Sequence, residues 1–368
     1  MDNQQAPGGL KEVALYFFKL GVIGFGGPAV HIAMMEKELV EKRKWLTREH
    51  FLDLIGATNL IPGPNSTEMT MHCGHVRAGW KGLVVAGSCF IIPAVIITSI
   101  FAWAYATYGQ LPEVEPFIYG IQPVVIGIIL SALINLAQKA VKSVTLGIAG
   151  MVALVLCLAG INEIAVLFGM GFAGIMYHLL QKKQSNVQNI LLAVPVTNAK
   201  LFWIFLKVGS ILYGSGYVLF AFLDAELVST GILTRSQLID AIAVGQFTPG
   251  PVFSAATFVG WQINGWHGAL VATAGIFLPS FLFVALLNPL IPRLRKSAIM
   301  SAFLDMVNVA AVALILSVCI DMGKAAITDW RTILIAIAGF ITAFFFKHVN
   351  AAFIILGGAL GGYLLSLL

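Results

Sequence analysis

Ten apolar runs divide the chain, at residues 13–34, 79–106, 117–137, 143–160 and 163–180, then at 201–221, 267–290, 300–320, 331–346 and 350–368. Each is close to the roughly 20 residues a helix needs to cross a bilayer, so the pattern predicts an all-α polytopic membrane protein. Within each series one stretch departs from the rest. Residues 51–74, FLDLIGATNLIPGPNSTEMTMHCG, and 238–260, LIDAIAVGQFTPGPVFSAATFVG, are apolar on both sides of a Pro-Gly-Pro. Proline removes backbone donors and glycine frees the chain, which predicts two short helices meeting at an unwound turn, a broken-helix hairpin.

The two series are one unit written twice. Leu46-Thr47-Arg48, Asp53-Leu54-Ile55 and Pro62-Gly63-Pro64 recur 187 residues on as Leu233-Thr234-Arg235, Asp240-Ala241-Ile242 and Pro249-Gly250-Pro251. Gly79-Trp80, Pro93 and Leu130-Ser131 answer Gly265-Trp266, Pro279 and Leu316-Ser317. Lys19-Leu20-Gly21 with Phe25-Gly26 answers Lys207-Val208-Gly209 with Tyr213-Gly214. An offset held between 186 and 188 residues over so many positions marks internal duplication, with repeats at 1–186 and 187–368.

Charge gives the expected orientation. The loop after the first run holds Lys37, Lys42, Arg43, Lys44 and Arg48, whereas its counterpart holds Asp224, Glu226 and one Arg235. By the positive-inside rule the cytoplasmic segments are 36–50, 75–81, 138–142, 181–200, 292–297 and 347–348, which gather 16 of the 22 Lys and Arg. Five crossings per half then invert the second half and leave both termini extracytoplasmic. The opening MDNQQAPGGLKE lacks the basic start and small-residue cleavage site of a secretory signal, so the first helix is expected to insert the chain.

Composition narrows the class. Hydrophobic residues make up 59%, charged residues 11% and the mean hydropathy is +0.91, against about 25% charged in soluble domains. A nucleic-acid-binding module is excluded despite the pI near 9.0, because the basic residues lie between apolar runs rather than on one solvated face. Cys73, Cys89, Cys157 and Cys319 have no paired spacing, so neither a disulfide frame nor a zinc site is indicated.

Candidate chemistry follows the duplication. Lys19 and Lys207 sit within apolar runs, where a cation costs at least about 2.5–3.5 kcal/mol and normally faces a cavity or a partner. Together they match a dianion; the structural alternative is a lysine reaching the interface or pairing with Glu12 or Asp224. Six residues on, Phe25-Gly26-Gly27-Pro28 and Tyr213-Gly214-Ser215-Gly216 let backbone N–H groups converge on an anion, with a helix restarting after Pro28; a kink or a close helix contact uses the same residues. Gly63 and Gly250 form the other floor of the site. Asn65, Ser66 and Thr67 follow the first, Ser254 and Thr257 the second, all neutral donors suited either to an oxyanion or to helix capping. Asn59 and Gln246 precede the prolines at matching positions, to donate to substrate or to satisfy freed carbonyls.

Glu68 breaks the symmetry, since Ala255 stands at its counterpart. It reads as half of an Asn65-x-x-Glu68 capping box or as a proton-carrying carboxylate for coupled exchange. Asp53 and Asp240 do repeat, near the interface, and read as structural. His31 is a candidate for the pathway, and Asp305, opposite Tyr119, for packing or pathway. His72-Cys73-Gly74-His75 has metal-like spacing without further ligands nearby, so no metal and no cofactor are expected.

Inverted repeats with broken helices are the plan of secondary transporters. No phosphate-binding Gly-Lys-Ser/Thr loop is present to use ATP. A membrane hydrolase built on Ser66 or Ser254 fits poorly, because neither serine has a partner histidine repeated in both halves.

With these motifs laid out, the chain resembles the chromate ion transporter family over nearly its whole length. The resemblance rests on Phe25-Gly26-Gly27-Pro28 with His31-Ile32-Ala33-Met34-Met35, on Asn59-Leu60-Ile61-Pro62-Gly63-Pro64-Asn65-Ser66-Thr67-Glu68, on Gly245-Gln246-Phe247-Thr248-Pro249-Gly250-Pro251, and on Gly275-Ile276-Phe277-Leu278-Pro279-Ser280-Phe281. It implies a two-domain chromate efflux protein of the cell inner membrane that confers chromate resistance by alternating access. Sulfate or a related oxyanion is the alternative substrate, by permeation or antiport. The partners implied are the oxyanion and the lipid bilayer, with a homodimer left open and no nucleic acid.

Overall fold

The computed structural model describes residues 9–25, 27–58, 61–109, 111–180, 198–213, 216–287, 298–346 and 349–367. Among them run fourteen α-helices, seven from each half in the same order. The first half gives α1 (Leu10–Ile23), α2 (Gly27–Met35), α3 (Arg48–Thr58), α4 (Asn65–Tyr108), α5 (Glu115–Ala140), α6 (Val144–Leu158) and α7 (Glu163–Leu180). The second gives α8 (Asn198–Ile211), α9 (Val218–Leu223), α10 (Arg235–Phe247), α11 (Ala255–Leu287), α12 (Ala298–Ala326), α13 (Trp330–Phe345) and α14 (Ala351–Ser366). After α2 and after α9 the chain widens into a π turn, at Glu36–Lys42 and Asp224–Val228.

The duplication reaches the packing of single side chains. Val13, Tyr16, Phe17, Leu20 and Gly21 are the buried positions of α1, and Leu201, Ile204, Phe205, Val208 and Gly209, at the same places in the repeat, are those of α8. Their spacing makes one apolar stripe. It packs on α4 in the first half and on α11 in the second. Gly21 and Gly209 allow the close approach, because a Cβ at Gly21 would lie 2.6 Å from Phe90 O and one at Gly209 would overlap Ile276 O. Thr47 accepts from His50 N–H at the start of α3, and Thr234 caps α10 in a capping box with Gln237. Both long helices bend at one matching place: Ala78-Gly79 and Asn264-Gly265 leave helical geometry with Gly79 at φ 59° and Gly265 at φ 56°. Only glycine takes that conformation without strain, which accounts for the duplicated Gly-Trp.

The halves are interleaved. α4 packs on α11, α5 lies against α13 and α14, and α12 lies against α6 and α7. A shared core runs through both repeats, from Val124, Ile128 and Leu133 to Leu314, Ile315 and Val318.

Among the described residues four helices are long and apolar enough to cross a membrane: Asn65–Tyr108, Glu115–Ala140, Val252–Leu286 and Ile299–Ala326. Four more apolar helices are shorter. The runs 13–34 and 201–221 are not single continuous helices. α1 stops at Ile23 and α2 starts at Gly27, while α8 stops at Ile211 and α9 starts at Val218. Gly24 and Gly27 in one half and Gly216 in the other relieve the chain of helical constraint there. α2 begins at Gly27, with Pro28 inside its first turn rather than before it. The repeat boundary at 186–187, the expected cytoplasmic segments 292–297 and 347–348, most of 181–200, and the terminal residues 1–8 and 368 lie outside the described residues.

Charges on the basic loop are tied back. Glu12 accepts from Arg43 at 3.1 Å, from Arg77 at 3.0 Å and from Trp45 Nε1 at 3.3 Å. Glu38 holds Arg43 at 2.9 Å and Lys42 at 3.1 Å, and those two cations hold its carboxyl below the ordinary range. Glu12 therefore has Arg43 and Arg77 as partners, and Asp224 has Arg235, so neither pairs with the lysine the sequence placed beside it.

Candidate functional site

The Pro-Gly-Pro turns and the breaks of the first helices meet crosswise. Gly63 N–H donates to Leu212 O at 2.8 Å, and Gly250 N–H donates to Gly24 O at 2.9 Å. Gly24 and Leu212 occupy the same place in the repeat, at the ends of α1 and α8. Each turn thus satisfies a carbonyl that a helix end has released in the opposite half. The two bonds are equivalent, and they join what the sequence separates by roughly 150 to 225 positions.

Each turn is local chemistry carried out by its own residues. α3 ends at Thr58 and α4 begins at Asn65, and Ile61, Pro62, Gly63 and Pro64 between them are buried. Gly63 has φ 140° and Gly250 φ 89°, both on the side of the map that favours glycine. Pro64 is the N-cap of α4, and no side chain caps there. The capping box expected from Asn65 and Glu68 does not form. A proline at the cap has no N–H for the carboxylate to accept, and both Glu68 oxygens are buried without a hydrogen-bond partner.

The surroundings of the two turns differ. A methyl group built on Gly63 would overlap Glu68 Oε1 and lie 2.6 Å from Ser280 Oγ. One built on Gly250 would lie 2.8 Å from Ala94 Cβ, with Gly21 O at 3.3 Å. Ser280 and Ala94 are counterparts, as are Glu68 and Ala255, so polar side chains meet Gly63 where an apolar one meets Gly250. Ser280 Oγ and Thr67 Oγ1 are likewise buried without a partner. His31 adds a second difference: its Nε2 lies 2.7 Å from Gly24 O, where the other half has Leu219.

The remaining candidates spread around this crossing. Ser66 and Ser254 are buried at the start of the helices that follow the turns, and Asn65 is half-buried. Thr248 and Ser254 hydroxyls stand 3.5 Å apart, and Thr257 pairs with Thr273 at 2.8 Å. Gln246 shares a hydrogen bond with Tyr217. Tyr213, directly after Leu212, is half-buried with its ring 6.1 Å from that of Phe303, while Phe25 is exposed. Gly26, Asn59, Gly214 and Ser215 lie outside the described residues, and Gly27 begins α2 at φ 78°. Lys19 is on the exposed face of α1, and Lys207, also exposed, forms an ion pair of 2.7 Å with Glu226. Among the described residues no acidic side chain pairs with Lys19.

Two other charged candidates, Asp240 and Asp305, have partners in the bundle. Asp240 is buried and accepts from Tyr105 OH at 2.5 Å and Gln122 Nε2 at 3.0 Å, whereas Asp53 is exposed. Asp305 is paired with Lys142 at 2.7 Å, and Tyr119 donates to Asp329, the N-cap of α13. That phenol bond, first among its causes, holds the Asp329 carboxyl below its ordinary range. Among the described residues no three His, Cys, Asp or Glu side chains come together as a metal site.

Sequence reasoning missed Ser280 and the carbonyls of Gly24 and Leu212. Ser280 carried a signal, since it follows the duplicated proline and faces Ala94 in the other half, the same kind of mismatch that singles out Glu68. The carbonyls carried none, because a backbone acceptor leaves no trace in residue type.

A duplicated bundle of apolar helices with buried breaks is an integral membrane protein. The chain belongs to the chromate transporter family, whose sequence model matches residues 11–175 and again 199–363. It is 30% identical to the chromate transport protein of Cupriavidus metallidurans over 96% of this chain and 92% of that one. It is 29% identical to a probable chromate transport protein of Synechococcus elongatus, over 91% and 90%. The chromate transport protein of Pseudomonas aeruginosa is 26% identical over 95% and 90%. No solved structure matches the chain.

Proposed function

We propose that this protein exports chromate from the cytoplasm by alternating access, with the anion held where the two Pro-Gly-Pro turns cross the breaks of α1 and α8. The observation that carries the reading is the reciprocal pair of bonds, Gly63 N–H to Leu212 O and Gly250 N–H to Gly24 O. Each turn belongs to one repeat and each acceptor to the other, so rocking one repeat against the other opens or closes this one place. Ser66, Ser254, Asn65 and Gln246 supply neutral donors around it, and Lys19, which no acidic side chain among the described residues neutralises, supplies positive charge, while Lys207 is held by Glu226. The named relatives support chromate as the substrate. Sulfate, another tetrahedral dianion of the same charge, is the competing cargo.

The direction follows from charge. With the cytoplasm negative, each negative charge expelled gains about 2.3 kcal/mol per 100 mV, so outward movement of a dianion is downhill. Cells producing the protein should accumulate less chromate and tolerate more of it than cells producing an inactive variant. Equal accumulation at equal protein abundance would refute export.

Opposite orientation of the halves is part of the reading, supported by the reversal of charge between 36–50 and 222–237. In a cysteine-free background, Glu41→Cys should react with an impermeant maleimide only from the cytoplasm and Thr230→Cys only from outside. Labelling of both from one side would rule out inverted repeats.

A further inference from the structure

The crossing carries one ionisable group that its symmetry does not require. Glu68 is fully buried, and neither carboxylate oxygen has a hydrogen-bond partner. Ser280 Oγ, also unpartnered, faces the same point beside Gly63, and Thr67 Oγ1 is a third orphan on the same turn of α4. At the other turn the matching places hold Ala255 and Ala94, and what lies nearest Gly250 is the Ala94 methyl with the backbone carbonyls of Gly21 and Phe90. A helix packs equally well with alanine there, as the second repeat demonstrates, so packing does not explain the carboxyl group.

An ionised carboxylate left unpaired in a dry interior is strongly disfavoured, and such groups neutralise instead. Among the described residues no cation pairs with Glu68. Tyr213 feels its charge from the segment after α8, His72 stands one helical turn on along α4 with contacts of its own, α11 contributes the neutral Ser280, and α1 keeps Lys19 on its exposed face. A dianion bound at the neighbouring turn adds like-charge repulsion, which is large at low dielectric.

We propose that Glu68 is a proton site coupled to the anion: it takes up a proton as the protein closes around the dianion and gives it up when the anion leaves, so that one proton travels with each anion. This rests on the crossing being the anion site. The proton comes from the solvent on the side where the anion enters, resides on a Glu68 oxygen with Ser280 Oγ as its hydrogen-bond acceptor, and returns to solvent on the far side. Each cycle then moves one net negative charge rather than two. Because binding linkage is reciprocal, the proton favours anion binding by the same factor as the anion favours the proton.

The test uses purified full-length protein in lipid nanodiscs, with Glu68→Gln as the neutral mimic and Glu68→Ala as a second variant that copies the second half. In ligand-free protein, lowering the pH should raise a carboxylic-acid C=O band in the infrared spectrum that both variants lack. At an alkaline pH where that band is absent and chromate is a dianion, adding chromate should draw about one proton per site into the wild type and none into either variant. Chromate affinity should weaken about tenfold per pH unit above the Glu68 titration in the wild type, the slope of one linked proton, and stay flat in Glu68→Gln. Equal bands in wild type and variants, or chromate binding with equal proton uptake, would overturn the coupling alone. A Glu68 band in protein that binds no chromate would overturn the coupling together with the anion site.

Discussion

Gly63→Ala and Gly250→Ala should each lower chromate export more than tenfold at matched abundance, for different reasons. Both glycines sit at positive φ, 140° and 89°, where an L side chain costs on the order of 1–2 kcal/mol. At Gly63 the added methyl meets the ends of two side chains, Glu68 Oε1 and Ser280 Oγ, which can swing aside. The fold should then survive while the polar turn is disturbed. At Gly250 the neighbours are Ala94 Cβ and Gly21 O, which cannot move without shifting α4 or α1. Gly250→Ala should therefore also lower thermal stability in detergent, and Ala94→Gly should restore part of it. Wild-type export from both variants would remove the turns from the substrate path, and loss in only one would make the two turns unequal walls of the site.

Lys19→Met should cost more transport than Lys207→Met. The sequence sets the two lysines at equivalent places, but Lys207 is already paired with Glu226 at 2.7 Å, whereas the matching Glu38 is taken up by Arg43 and Lys42. A free cation lends its whole charge to a dianion; a paired one lends little. We expect export by Lys19→Met to fall about tenfold or more, equivalent to about 1.4 kcal/mol, with abundance unchanged. Lys207→Met leaves the Glu226 carboxylate, 17% exposed, without its partner. Its main effect should be on abundance, recovered in the double variant Lys207→Met, Glu226→Gln. Equal losses of transport in both single variants would mean that the ion pair opens during the cycle.

Much of this was legible because duplication leaves a record in residue type. The offset of 186–188 aligned Val13 with Leu201 and Phe17 with Phe205 as well as the obvious Pro-Gly-Pro pairs, and those aligned residues are the buried ones. Gly79-Trp80 and Gly265-Trp266 were visible as a repeat, though not as a kink, since the bend needs a φ that composition does not disclose. In the runs 13–34 and 201–221 the glycines left break and kink as alternatives, because apolar content records what a segment is buried in and not whether its helix is continuous. Pairing was the least legible. Glu226 rather than Asp224 meets Lys207, two positions along the π turn deciding between two acids. Pro64 rather than Asn65 caps α4, so Glu68 lost the role its spacing suggested. The crossing itself joins backbone atoms from opposite repeats, and only the folded chain discloses that.

The central claim is export of a dianion through one site shared by both repeats, and chromate uptake into inside-out vesicles at a set potential tests it most directly. With the lumen held positive, uptake should be saturable, should rise with the potential, should exchange lumenal for external labelled chromate, and should be lost in Gly250→Ala. Uptake indifferent to potential, or equal in vesicles with and without the protein, would contradict the account.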